Sequence, residues 1–467
     1  MRFRIAHNNA TNRMAEIRPF RAYHYDTSRV APQEVLTQPY DKITPAMQGS
    51  YYAASPYNLI AVEKGRVLAD DTAENNVYTR AAGKIEEWIA EKILVQDAAP
   101  GIYVYSQEFL VPGTHTRRVR TGFIALLRVE DYDKRVVFRH EYTLSGPKAD
   151  RIELLRKTCM QTGQLFLLYD DPARQIDAWL EEAASGKPRV ELEDEFGVIH
   201  RLWPIIDAAL VRRIEKAMAD KRIVIADGHH RYETALAYRD KCRARAGRTD
   251  AMAASEFAMA TFINAQSKGL TILATHRLVS RLLPEFSFDK VRRNLSPFFD
   301  WYSYPFANAD ERATAYAEFR RDFEKLNANR RTLGAYSGKP MPGAGAFYLF
   351  VLKRGIDLKD LLPNVSEGQR GLDVVLLHRL VLDEGLGITA EAVTAENNVG
   401  YEREMETAIA AVDRGEAQIV FLLNPVRVQQ VMDIALGGDV LPQKSTDFYP
   451  KLLSGLAIYR VEERLNG

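Results

Sequence analysis

Residues 222–238 read RIVIADGHHRYETALAY. Ile223, Val224, Ile225 and Ala226 make a short apolar run rich in β-branched side chains, which suits a buried strand. A polar knot follows: Asp227, Gly228, His229, His230 and Arg231. Tyr232, Ala235, Leu236 and Ala237 then recur at helical spacing, with Arg231, Glu233 and Arg239 among the polar positions. The stretch therefore reads as strand, tight turn, helix. A helix start presents unpaired N–H groups and the positive end of the helix dipole, so it favours an anion. Gly228 permits a sharp turn and lets a ligand approach the backbone closely. Asp227 suits a helix cap or a metal ligand. Arg231 offers a planar fork for phosphate or carboxylate. His229 and His230 donate to phosphate or move a proton near neutral pH. In open α/β sheets ligands gather at the carboxyl ends of strands, which is where this knot falls. The plainer alternative is a capped helix start with two surface histidines.

Working outward, residues 139–158 (RHEYTLSGPKADRIELLRKT) repeat the pattern. A strand ends at His140, Glu141 sits on the exit, and a helix starts with Lys148, Asp150 and Arg151 in its first turn. Lys148 and Arg151 are three apart and share a helix face. Residues 36–44 (LTQPYDKIT) place Tyr40 and Asp41 after Pro39, which forces an extended or turn geometry on Gln38. Residues 269–278 (GLTILATHRL) end a strand with His276 and Arg277. Residues 441–458 (LPQKSTDFYPKLLSGLAI) place Lys444, Ser445 and Thr446 between two prolines and Lys451 directly after the second, and lysines with hydroxyls suit phosphate. No Walker loop precedes them. His378 lies isolated on a predicted helix over residues 372–383, and residues 59–63 read as a strand.

The DGHHR string resembles the phosphate-binding motif of the ParB/sulfiredoxin superfamily, most of all its free-serine kinases. DGHHRYETAL is also similar to the hallmark of a bacterial and archaeal family known as domain of unknown function one-zero-one-five. That family resembles this chain again at Pro39-Tyr40-Asp41, with Gln38 where it usually has a second proline. Further likenesses fall at His140-Glu141 with Lys148, Asp150 and Arg151, at Thr275-His276-Arg277, and along residues 442–451. The superfamily resemblance implies a compact α/β nucleotide-binding unit. Sulfiredoxins carry a reactive cysteine directly after the motif glycine; His229 stands there, which excludes that chemistry. The chromosome-partitioning members carry a helix-turn-helix, and no basic recognition helix is present here. The kinases transfer a nucleotide's terminal phosphate to free serine with a glutamate base, for which Glu141 is the candidate.

Composition narrows the remainder. The chain has 467 residues, 46% of them hydrophobic and 27% charged, ordinary for a globular protein of two or three domains. With 63 basic and 62 acidic residues the net charge is +1, which advertises neither nucleic acid nor an anionic membrane as partner. Two cysteines, Cys159 and Cys242, form no metal-ligand spacing. The N-terminal residues lack the apolar core of a signal peptide, no run approaches a membrane span, and a reducing, cytoplasmic setting is expected. The expected fold is mixed α/β: a ParB/sulfiredoxin-like unit over residues 1–283 and an α+β unit over residues 284–467, whose 441–455 segment folds back over the site.

The expected function is phosphoryl transfer from ATP or ADP, with Mg²⁺, to a small hydroxyl metabolite. Glu141 or His140 takes the hydroxyl proton and His229 assists. Gly228, His230, Arg231, Lys148, Arg151, Lys444, Ser445, Thr446 and Lys451 hold phosphate. Asp227 binds Mg²⁺ or orients a histidine. The alternatives are a non-catalytic nucleotide-binding regulator and a metal-dependent phosphohydrolase. The partner is a phosphorylated small molecule; the oligomeric state is not legible in the sequence.

Overall fold

The computed structural model describes residues 15–141, 146–247, 249–282, 288–338, 345–389, 393 and 398–461. The polar N-terminal stretch, apart from residue 15, lies outside the described residues, as do Thr143 and Ser145 of the second constellation.

The strand Ile223–Asp227 forms at the apolar run, and Ile223, Val224 and Ile225 are fully buried. It lies near one edge of a mixed nine-stranded sheet. On one side it pairs in parallel with Val137–Arg139, on the other antiparallel with Leu165–Tyr169. The sheet continues through Phe257–Asn264, Arg117–Arg128, Ile102–Leu110, Ile199–Ile205 and Val190–Glu193. The helix His229–Ala246 follows the polar knot and buries Tyr232, Thr234, Ala235, Tyr238 and Arg239. Arg239 stands in the sequence as an outward polar position. It is 2% exposed because its guanidinium donates to the Val129 carbonyl and to Asp131 and Asp240. Tyr232 fixes the same helix by donating to the Glu130 carbonyl at 2.6 Å.

A second sheet, six-stranded and antiparallel throughout, runs Phe299–Phe306, Gly345–Leu352, Thr332–Ser337, Ile419–Leu422, His276–Val279 and Val399–Glu402. The strand His276–Val279 belongs to it, although it precedes residue 284, the expected start of the second unit. Residues 59–63 are not a strand: Ile60–Glu63 is a helical turn, started by Asn58, whose side-chain oxygen accepts from the Ile60 N–H. Residues 372–383 divide into the helix Asp373–Leu376 and the π-helical Leu377–Gly385.

After the second sheet the chain returns to the N-terminal half and forms two small two-stranded sheets with it. Asp447–Tyr449 pairs with Thr271–Leu273, and Tyr459–Arg460 with Met160–Gln161. Arg120, fully buried, ties this return in place by donating to the Tyr449 and Pro450 carbonyls at 3.0 and 2.6 Å. Burial pushes its guanidinium down to about 9. No helix among the described residues is long and apolar enough to cross a membrane.

Candidate functional site

The two strand-to-helix junctions meet because their strands are parallel neighbours. The cleft between them has a volume of about 150 Å³ and is lined by Tyr40, Asp41, Glu141, Asp227, Gly228, His229, His230, Arg231, Gln443 and Lys444. Four separate stretches of sequence contribute to it. Gly228 has φ +89°, the left-handed region that favours glycine, and a Cβ there would meet the Arg231 guanidinium at 3.1 Å.

Asp227 sits among cations. Lys451 Nζ is 3.9 Å from one of its oxygens and Arg231 Nη2 is 3.4 Å from the other. Burial alone would raise the Asp227 carboxyl, but Lys451, Arg231 and Lys42 outweigh it and hold the group well below the usual carboxylate range. Lys451 also pairs with Asp447 at 3.0 Å. Burial acts to lower this lysine, yet Asp227, Asp447 and Asp41 keep it above its ordinary value. Arg231 is anchored by donating from Nη1 to the Gln164 carbonyl.

Glu141 is held by the returning chain. Its Oε1 accepts from the Ser445 N–H and the Thr446 hydroxyl, each at 3.2 Å. His140 Nε2 lies 2.7 Å from Thr446 Oγ1 and 3.6 Å from Glu141 Oε1, while its Nδ1 faces the Ile225 carbonyl at 2.6 Å. Burial pushes Glu141 up, but His140, His229 and the Thr446 hydroxyl bring it below its ordinary value. The His229 ring packs edge-on to His140 with centroids 4.7 Å apart, and its Nε2 accepts from the His140 backbone N–H at 3.4 Å. Burial, with His140 beside it, lowers His229 to about 3. A neutral ring accepting at Nε2 carries its proton on Nδ1. His230 is lowered chiefly by burial, and its Nδ1 is enclosed with no partner among the described residues.

A second, small hollow of about 60 Å³ adjoins the cleft, and Tyr40 and Arg231 line both. Leu154, Leu155, Met160 and Met259 supply apolar walls, and Arg151, 4.2 Å over the Tyr40 ring, supplies charge. Asp150 does not line either space; it pairs with Arg151 at 2.5 Å and accepts from the Tyr78 hydroxyl. The Lys148 side chain lies outside the described residues. Ser445 and Thr446 act on Glu141 and do not line the cleft. His276 is placed elsewhere: buried in the second sheet, it accepts from the Leu423 N–H at 3.1 Å and is lowered to about 4 by burial. Arg277 is fully buried behind the cleft, donating to the Thr275 carbonyl and, at 3.4 Å, to that of Gln443.

The donor set does not fit a protein-held Mg²⁺ on Asp227. Both its oxygens face cations, and among the described residues no group of three metal-ligating side chains occurs. Sequence reasoning missed Lys42, half-buried near Asp41, Asp447 and Lys451 and lowered by burial. It also missed Glu63, whose carboxylate accepts from Thr162 and Ser454 beside the second hollow. Lys42 adjoins the PYD string and was within reach of the motif argument; Glu63 carries no local signal.

Histidines held neutral, His276 buried and His229 and His378 half-buried, make stability depend on pH. His229 and His378 are lowered to about 3 and His276 to about 4. Below the unfolded value near 6.5 the unfolded chain binds protons that the folded chain refuses, so stability falls as pH falls. Each such histidine costs roughly 1.4 kcal/mol per pH unit across that window. Thermal melts should fall steadily from pH 7 to pH 5; a flat profile would contradict the burial of these rings.

The molecule so defined is a mixed α/β protein with a cleft at a strand-to-helix junction, lined by His229, His230, Arg231 and Lys444. The chain belongs to the family described as protein of unknown function (DUF1015), whose model matches residues 17–433. No curated protein matches it. Solved structures give distant likenesses. A conserved hypothetical protein from Pyrococcus furiosus has TM-score 0.34 and 14% identity, covering 73% of this chain and 96% of that one. A free serine kinase mutant in complex with ADP has TM-score 0.33 and 13% identity, covering 74% and 98%. A C-terminally truncated SbnI from Staphylococcus aureus has TM-score 0.33 and 9% identity, covering 73% and 90%. TM-scores this low carry no argument about this chain.

Proposed function

We propose that the cleft binds the phosphates of a nucleotide and transfers the terminal phosphoryl group to a small hydroxyl acceptor of the serine type. The observation that carries this is the convergence of a helix N-terminus, Arg231 and Lys444 on one cleft that Glu141 also lines. Phosphoryl transfer asks for positioning and charge neutralisation more than covalent participation by the protein. The N–H groups after Gly228, Arg231 and the exposed Lys444 take the phosphate oxygens. His229 donates from Nδ1. The apolar walls of the adjoining hollow, with Arg151 over Tyr40, offer an edge against which the nucleotide's base packs.

Glu141 has Oε1 fixed by Ser445 and Thr446, which leaves Oε2 for the acceptor. The acceptor O–H bond breaks as its proton passes to Glu141, the oxygen bonds to the terminal phosphorus, and the shortened nucleotide leaves with the electron pair of the broken P–O bond. Asp41 faces the same cleft and makes no hydrogen bond among the described residues, so it is the second carboxylate available to an acceptor's ammonium group.

Incubation of the protein with ATP or ADP and L-serine, followed by phosphorus NMR, tests the reading. Phosphoserine is the expected product; nucleotide binding without product over a panel of hydroxy amino acids would favour the regulator. Thr446→Ala should lower turnover about tenfold with little change in nucleotide affinity, since a lost hydrogen bond to a charged group costs roughly 1.5 kcal/mol. Equal turnover in that variant would remove Glu141 from the base role.

A further inference from the structure

The second sheet repeats the arrangement that marks the first cleft. The strand Ile419–Leu422 ends at a loop, and the ten-residue helix Val428–Gly437 starts directly after Arg427. Beside this junction lies a separate cavity of about 410 Å³, lined by Arg330, Arg331, Arg427, Asn424, Asp373 and Ser445 among others.

The three guanidiniums are under-used. Arg330 spends Nη2 on Asp300 and the Leu352 carbonyl, and its Nε is enclosed with no partner among the described residues. Arg331 donates from Nη1 to the Gly371 carbonyl and is 3.9 Å from Asp373. Arg427 makes one long bond, 3.3 Å, to Gln430. One carboxylate lines the space with them, and Asn424 donates to it at 3.0 Å. Burial raises the Asp373 carboxyl, which weakens its claim on the arginines. A cavity with three arginines, one occupied carboxylate and a helix N-terminus has donors in excess of acceptors.

We propose that this cavity is a second anion site, taking a compact phosphorylated metabolite. Its position gives it a route to the first cleft. Ser445 lines the cavity, and its N–H holds Glu141 Oε1. An occupant thus touches the segment that positions the cleft glutamate.

Pyrophosphate, titrated calorimetrically into the full chain, is the probe. Arg231→Ala removes the main donor of the first cleft, so residual binding reports the second site. In that background Arg427→Gln should weaken binding about tenfold, and Arg331→Gln with Arg427→Gln should abolish it. Arg427 is exposed and holds only Gln430, so its variant keeps the fold; melting temperature checks this. Absence of pyrophosphate binding to Arg231→Ala overturns the proposal, as does binding there that both glutamine substitutions leave unchanged. The Arg331→Gln/Arg427→Gln chain with Arg231 intact reports the first cleft alone, so failure of either site is read separately.

Discussion

Arg231→Ala is expected to weaken nucleotide binding by about 30- to 1000-fold, roughly 2–4 kcal/mol. Net charge near zero gives little long-range attraction, so affinity must come from local donors. Arg231 stands between the cleft and the adjoining hollow and lines both. The Gln164 carbonyl fixes the guanidinium before a ligand arrives, so little entropy is lost on binding. Arg231→Lys should recover only part of the loss, because an ammonium cannot make two parallel bonds to one phosphate. Calorimetry with ATP, ADP and AMP on the three proteins measures this. Affinity in Arg231→Ala within threefold of the parent would show that the phosphates lie elsewhere.

Lys451→Met is expected to lower stability at neutral pH by about 3–5 kcal/mol, the usual result of removing one partner from a buried ionic cluster. Lys451 is the cation shared by Asp227 and Asp447, and its side chain is 11% exposed. Without it both carboxylates keep their desolvation cost with less compensation. The deficit should shrink on acidification. Asp227 and Asp447 both have lowered folded values, so in the parent their contribution is complete above the unfolded value near 4 and is lost as pH falls through the folded one. In the variant that contribution is already reduced, so the two denaturation curves converge toward low pH. Lys451→Met with Asp447→Asn should recover part of the loss at neutral pH. A single variant as stable as the parent would show that the cluster is solvated.

Much of the site is legible in the sequence because its chemistry is local. An apolar β-branched run, a glycine and a helical repeat in seventeen residues give the strand, the turn and the helix N-terminus. That such a junction favours an anion follows from backbone geometry, which needs no distant residue. The same holds for the junction at His140. Where a residue's role depends on its neighbour across the fold, the sequence is silent. Asp227 reads as a metal ligand until Lys451, more than two hundred residues later, is placed beside it. His276 and Arg277 form a polar knot at a strand end, like the others, but their strand joins the second sheet and closes around them. Arg239 reads as a surface residue until the Val129 carbonyl and Asp131 come within reach. Local propensity and periodicity determined the elements and their termini. Which strands became parallel neighbours, and which charges were thereby buried together, was decided only when distant segments packed, because burial and pairing energies belong to the tertiary structure and to no single stretch of chain.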